Sequence, residues 1–239
     1  MKMEEHVADA LLKIELFTSL SREELKGIIK RIDVKTFKRN DIILQEEDAN
    51  EFMYIILDGE AKIIQATEDG KEIILALHRS GDFFGELSLI DGKTAPASVV
   101  ATKHSITAII SKQDFFSLIF SYPNVLKNLL LILCSRFRES LGTIQMLNFS
   151  NSLERIKMLL VMLHEKYGKE GKGAKVLDIK LTHKDIAEMV GMTRETVTRV
   201  LDRLQKDGDI TIHKNKLIGL TPNFFAWSAR RGMGQFISP

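Results

Sequence analysis

The sequence predicts an α+β chain in three successive parts: a helix-led block of short strands, one long amphipathic helix, and a small helical domain ending in a strand hairpin. Three observations carry the prediction. Between about residues 33 and 110, β-prone runs of four to six residues alternate with glycine turns. From Pro123 onward, apolar residues recur at alternating spacings of four and three. After Leu181, two short helical patterns flank a lone glycine and give way to a second β-rich stretch.

Composition narrows the class. Of the 239 residues, 44% are hydrophobic and 28% charged, a globular balance that excludes a disordered chain. A chain of this length builds its core without staples. No apolar run reaches the roughly 18 residues of a membrane span. The longest, Val125–Leu133, is broken by Lys127 and Asn128. The N-terminus, MKMEEHVADALLK, is acidic where a secretory signal needs a basic start. A cytoplasmic protein with no membrane partner is expected. Cys134 is the one cysteine, which excludes an internal disulfide, a CxxC pair and a cysteine-held iron–sulfur cluster. The sequence holds no nucleophile elbow, metal-spaced His/Asp cluster or P-loop, so neither catalytic residues nor a metal site are expected.

The elements follow in order. Residues 6–31 read as helical, with Ser21-x-x-Glu24 forming a capping box ahead of Leu25, Ile28 and Ile29. The strand-like runs are 41–44, 52–57, 61–64, 72–77, 98–101 and 105–110, separated by Asp58-Gly59, Asp69-Gly70, Ser80-Gly81-Asp82 and Asp91-Gly92. Asp-Gly between β-prone runs signals a hairpin, because Gly accepts positive φ. Many short strands with regular turns make a sandwich, jelly roll or barrel.

On the long helix, Leu126, Leu130, Leu133, Phe137, Ser140, Ile144 and Leu147 fall on one seam over about three heptads. Ser140 is its one polar member, and Leu129 and Leu131 are left for intramolecular contact. A stripe of this kind is expected to dimerise with its own copy. The polar cluster 148–152 reads as a hinge, 152–167 as a helix and 168–173 as a loop.

Charge is asymmetric. Residues 150–239 hold sixteen Lys/Arg against ten Asp/Glu, whereas residues 1–149 hold eighteen against twenty-two. A basic C-terminal part fits an anionic polymer. Within it, Thr182-x-x-Asp185 caps a short helix with Ile186, Ala187 and Val190 inward, and Gly191 supplies a left-handed stop. Thr193 caps a second helix with Val197, Val200, Leu201 and Leu204 inward and Arg194, Glu195, Thr198, Arg199 and Arg203 outward. Helix, glycine turn and basic-faced helix make a helix-turn-helix, whose second helix fits the DNA major groove. Arg suits guanine O6/N7 and Glu a cytosine amino group, while Thr182, Thr193 and the helix-start amides suit phosphates. Residues 210–218 read as a two-stranded wing with a basic tip at Lys214. Double-stranded DNA is the expected partner.

TRETVTRVLDRLQKDGDI (193–210) resembles the recognition helix and wing of the cyclic-AMP receptor protein/FNR family of bacterial transcription regulators. FGELSLIDG (84–92) resembles that family's effector-pocket loop, and the order of parts matches over roughly residues 10–222. The resemblance implies a double-stranded β-helix (jelly-roll, cyclic-nucleotide-binding-like) sensor domain at 1–122, a dimerisation helix at 123–149 and a winged helix-turn-helix at 150–239. It implies a homodimer that reads a palindrome of TGTGA-type half-sites through Arg194, Glu195 and Arg199, with RNA polymerase as a further partner.

The same resemblance places the effector pocket at Gly85, Glu86, Leu87, Ser88, Ala95, Pro96, Ala97 and Ser140. In nucleotide-binding members an Arg-Ser pair grips the cyclic phosphate, but here Ala95 and Pro96 stand in its place, and Pro96 also lacks an N–H. Losing a charge-assisted clamp and a donor lowers affinity by about 10²-fold or more. Cyclic AMP is therefore disfavoured and the effector left open. A cyclic nucleotide in an altered pocket and a haem held by His78 or His104 are the other possibilities, and Lys93 is the one nearby substitute cation in the loop.

Overall fold

The computed structural model describes residues 2–171, 174–213 and 216–230. The chain forms two compact units, Met1–Ser135 and Arg136–Pro239.

The first unit opens with α1 (Lys2–Leu11), a single 3-10 turn (Glu15–Phe17) and α2 (Arg22–Ile29), so the continuous helix expected over 6–31 is broken. Ile14 is extended, and the predicted capping box starts a fresh helix: Ser21 Oγ accepts from Glu24 N–H while the Glu24 carboxylate accepts from Ser21 N–H. Leu11, Leu16, Phe17 and Leu25 are fully buried.

The strands β1 (Asp33–Phe37), β2 (Ile42–Leu44), β3 (Phe52–Asp58), β4 (Glu60–Ala66), β5 (Glu72–Arg79), β6 (Phe83–Phe84), β7 (Ser98–Ala101) and β8 (Ser105–Ser111) form two four-stranded sheets, with α3 (Glu86–Asp91) between β6 and β7. Their orders are β1-β8-β3-β6 and β2-β7-β4-β5, antiparallel throughout, which resolves the open choice in favour of the jelly roll. Asp69-Gly70 joins the β4–β5 hairpin as predicted. Asp58-Gly59 does not make a hairpin, because β3 and β4 lie in different sheets. Gly59, at φ +117°, presses on β8 so closely that an added Cβ would lie 2.6 Å from Ser105 Cα, and the chain turns a corner there instead. Asp91-Gly92 ends α3. Neither β1 nor β6 belongs to a predicted run.

β3 is buried on both faces, which explains its unbroken apolar run. Met53 and Ile55 join the core under the helices, whereas Ile56 and Tyr54 face the roll interior with Ile43, Phe84, Val99 and Ala101. Next come α4 (Lys112–Ser121) and α5 (Pro123–Leu147). Val125 and Leu129 of α5 are buried in the first core, with Leu126 and Leu133 partly buried against it. Two members of the predicted seam, Leu126 and Leu133, thus pack against the intramolecular core. Leu130, Phe137 and Ile144 are 54%, 65% and 58% exposed, and Leu147 is exposed too. Leu131 is exposed rather than intramolecular, and Leu141, at 49%, offers the apolar group where Ser140 was expected.

The second unit takes the C-terminal part of α5, then α6 (Ser152–Tyr167), β9 (Gly168–Glu170), β10 (Lys175–Leu177), α7 (His183–Val190), α8 (Arg194–Lys206), β11 (Ile210–Ile212), β12 (Ile218–Leu220) and α9 (Pro222–Arg230). The sheet order is β11-β12-β10-β9, all antiparallel. Part of the expected 168–173 loop is therefore a strand. Gly-Lys-Glu carries no β signature of its own, and pairing with β10 decides it. Ile156, Leu160, Ile186, Val190, Val197, Leu201, Leu204, Leu220 and Phe224 make the core. Each contributes about 1.5–3 kcal/mol by leaving water.

Candidate nucleic-acid interface and sensor pocket

The helix-turn-helix is built by local chemistry that the sequence displays. Thr182 Oγ1 accepts from Asp185 N–H and the Asp185 carboxylate accepts from Thr182 N–H, starting α7. Gly191 ends it at φ 64°, ψ 44°, its N–H donating to Ala187 C=O. Two residues later Thr193 Oγ1 accepts from Thr196 N–H and starts α8. Val197, Leu201 and Leu204 are fully buried, which fixes the rotation of α8 and turns Arg194, Glu195, Arg199 and Arg203 to solvent.

Those exposed charges are lightly held. Arg199 Nη2 donates to Thr196 Oγ1 at 3.2 Å, and Arg203 Nε lies 3.5 Å from Asp207 in an exposed ion pair. Such a pair is worth about 0–1 kcal/mol and yields readily to a phosphate or base. The threonines are more committed. Thr182 Oγ1 donates to Asp185 Oδ2 at 2.7 Å and Thr193 Oγ1 to Thr196 Oγ1 at 3.1 Å, so their hydroxyl protons serve the caps. Thr198 Oγ1 donates to Arg194 C=O at 2.9 Å and lies 2.8 Å from His183 Nδ1. In the sequence His183 is a lone His after a cap and carries no signal of a role. Lys214 lies outside the described residues. The wing strands β11 and β12 pair from Ile210↔Leu220 to Ile212↔Ile218.

Two further contacts in this unit were illegible in the sequence. The Arg155 guanidinium donates to Phe149 C=O, at 3.1 and 2.6 Å, and to Val190 C=O at 3.1 Å. One side chain thereby ties the 148–151 connection to the end of α7. Lys157 and Asp209, both buried, form an ion pair at 2.6 Å.

In the first unit, Gly85 caps α3 at φ 87°. A Cβ there would stand 2.6 Å from Phe52 C=O and 3.0 Å from Asn50 Nδ2, so packing alone demands glycine. Asn50 Nδ2 donates to both Phe52 C=O and Gly85 C=O, at 2.7 and 3.0 Å. Glu86 and Ser88 are buried on α3, and Leu87, also expected in the pocket, is exposed. Helical geometry separates it from the buried face.

Ala95 is 1% exposed and packs inside the roll with Ile43, Leu44 and Phe84. Its N–H donates to Asp48 C=O at 2.9 Å, and its C=O accepts from Glu47 N–H at 2.8 Å. Exposed Pro96 accepts from Gln65 Nε2 at 2.8 Å through its C=O. Ala97 is buried, and Ser98 Oγ accepts from Glu46 N–H at 2.9 Å and Gln45 Nε2 at 3.2 Å. The loop is thus sewn to residues 45–48 and 65 by its own polar groups. Lys93 is exposed, as is His104, whereas His78 is buried with its ring centroid 6.1 Å from that of Phe84. Ser140, on α5 in the second unit, is exposed and donates its hydroxyl to Arg136 C=O at 3.0 Å.

Comparison with known proteins matches this architecture part by part. The cyclic nucleotide-binding domain matches residues 34–122, and the Crp-like helix-turn-helix domain matches residues 154–221. A global nitrogen regulator of Nostoc sp. is 32% identical, over 77% of this chain and 83% of its own. A cyclic AMP receptor protein of Thermus thermophilus is 28% identical, over 82% and 88%. The solved structure of a CooA mutant from Carboxydothermus hydrogenoformans superposes with a TM-score of 0.74 at 21% identity, covering 84% of this chain and 90% of that one. A nucleotide-binding-type jelly roll, a long helix and a Crp-type helix-turn-helix, in one chain with these relatives, place the protein in the cyclic-AMP receptor protein/FNR family of DNA-binding transcription regulators.

Proposed function

We propose that the chain acts in the cytoplasm as a homodimeric regulator that binds a palindrome of TGTGA-type half-sites and takes an effector other than cyclic AMP. Residues 1–122 sense, 123–149 dimerise and 150–239 bind DNA. The observation that carries the DNA half is the exposure of Arg194, Glu195 and Arg199 together on α8 while its opposite face is buried. Three residues of complementary readout chemistry on one groove-sized helix suit base edges. Two copies joined along α5 would present two such helices, one helical turn apart on the duplex. RNA polymerase is the further partner that the family suggests.

Electrophoretic mobility shift on a TGTGA-type palindrome tests this. Binding is expected with a steep salt slope, and Arg194→Ala should weaken it by about 10-fold or more on the cognate site alone. Indifference to Arg194→Ala would overturn the assignment.

For the sensor half, the buried Ala95 and the N–H-free Pro96 argue against a phosphate clamp. A second possibility, cyclic-nucleotide dependence through an altered pocket, draws on the retained Gly85-Glu86-Leu87 and on the Thermus relative's name. Calorimetry with cyclic AMP, cyclic GMP and cyclic di-GMP separates the two, and tight cyclic AMP binding would reverse the order. For a haem, the histidines in the roll are buried His78 and exposed His104. Absorption spectra of the purified chain decide that case.

A further inference from the structure

We propose that His183 is a positioning residue for base reading, fixing the Thr198 hydroxyl so that Thr198 faces the groove as an acceptor and a methyl group, never as a donor. This rests on the assignment of α8 as the base-reading helix.

Thr198 lies one turn after Arg194 and beside Arg199, on the face of α8 that carries the exposed charges. Its Oγ1 sits 2.9 Å from Arg194 C=O. Two oxygens at that distance need a proton between them, and the hydroxyl has only one. The contact with His183 Nδ1 at 2.8 Å must then run the other way, with Nδ1–H donating to Thr198 Oγ1. His183 comes from α7 and Thr198 from α8, so the bond also spans the two helices of the motif.

With its proton and one lone pair committed, Thr198 retains one lone pair and its methyl. That set accepts from an adenine or cytosine amino group or packs on a thymine methyl, and cannot donate to guanine O6 or N7. Without the imidazole the bond to Arg194 C=O alone holds the hydroxyl, so its proton turns to a base more readily and the discrimination between donor and acceptor bases weakens.

Selection from a randomised half-site library, followed by competition binding, tests this with the full chain. Thr198→Ala identifies the base pair that Thr198 reads. His183→Ala should flatten the preference at that same pair by about five-fold, the worth of one hydrogen bond. Affinity for the remaining positions and the salt slope should stay unchanged. His183→Asn, whose amide reaches the place of Nδ1, should restore the preference. Thr198→Ala leaving every preference intact would overturn the proposal while sparing the roles of Arg194 and Arg199. So would a uniform loss of affinity in His183→Ala with a shallower salt slope, which marks His183 as a phosphate contact. A wild-type chain that selects no sequence would remove the DNA assignment and this proposal together.

Discussion

Lys157 Nζ and Asp209 Oδ2 meet at 2.6 Å with both side chains more than nine-tenths buried, joining α6 to the residue that precedes the wing. Asn223 Nδ2 donates to the other carboxylate oxygen at 2.7 Å, and Lys157 Nζ stands 4.8 Å from the Trp227 ring centroid. Three elements of the DNA-binding unit thus converge on one ion pair. Breaking either side leaves a buried charge without its partner, at a cost of about 3–5 kcal/mol. Lys157→Ala or Asp209→Ala should therefore unfold this unit at markedly lower denaturant. Replacing both by apolar residues of similar volume should cost much less. Trp227, the one tryptophan, gives the fluorescence signal that follows it.

The exposed apolar residues of α5 make a prediction about the proposed dimer. The exposed apolar residues Leu130, Phe137, Leu141 and Ile144, with exposed Cys134 among them, continue the four-and-three spacing in a different register from the one that included Ser140. In a parallel two-helix seam each such residue meets its own copy. Leu141→Asp should dissociate the dimer in sedimentation analysis, whereas Ser140→Asp should leave it largely intact. Mild oxidation should link two chains through Cys134, and Cys134→Ser should abolish that band on a non-reducing gel. The opposite pattern for Leu141 and Ser140 would restore the register expected from sequence.

How much of the molecule could be read in advance depends on how local its causes are. Caps and stops were legible at Ser21–Glu24, Thr182–Asp185, Gly191 and Thr193, because each is settled by hydrogen bonds within four residues. The buried face of α8 was legible from its period. Features settled by distant partners were not. Asp58-Gly59 looks like any hairpin turn until Ser105 is beside it, and β9 is a strand only because β10 pairs with it. Nor does the spacing on α5 show that the first core takes up Leu126 and Leu133. The bonds of His183, Arg155 and Lys157 join residues 15 to 52 apart, beyond any pattern in the sequence.

The loop chemistry around Ala95 supports a gain-of-function test. Ala95→Arg alone puts a guanidinium among Ile43, Leu44 and Phe84, and burying it unpaired should lower the melting temperature of the roll. Adding Pro96→Ser restores an N–H and a hydroxyl. In that double variant, cyclic AMP should raise the melting temperature as its concentration rises, since a ligand of the folded state stabilises by mass action. The wild-type chain should show no such shift. A wild-type shift equal to that of the double variant would mean that the pocket grips phosphate by groups other than these.

Glu165 on α6 gives the DNA-binding unit a pH dependence of defined sign. Burial, and then the negative charge of Glu139 on α5, push its carboxyl from 4.5 up to about 7. Between those values the folded chain holds a proton that the unfolded chain has released, so stability falls as pH rises through the window and the loss is complete above it. Lys166 Nζ, 3.3 Å from Glu139, offsets part of the repulsion. Neighbouring His164 acts in the opposite sense: burial and then the charge of Lys175 hold its pKa below 6.5, so its share of stability is lost as pH falls. Comparing one variant with wild type removes that background. Glu165→Gln should raise the Trp227-monitored melting temperature at pH 8 and change it little at pH 5, where the wild-type carboxyl is already neutral. An equal rise at both pH values would assign the gain to packing and not to charge.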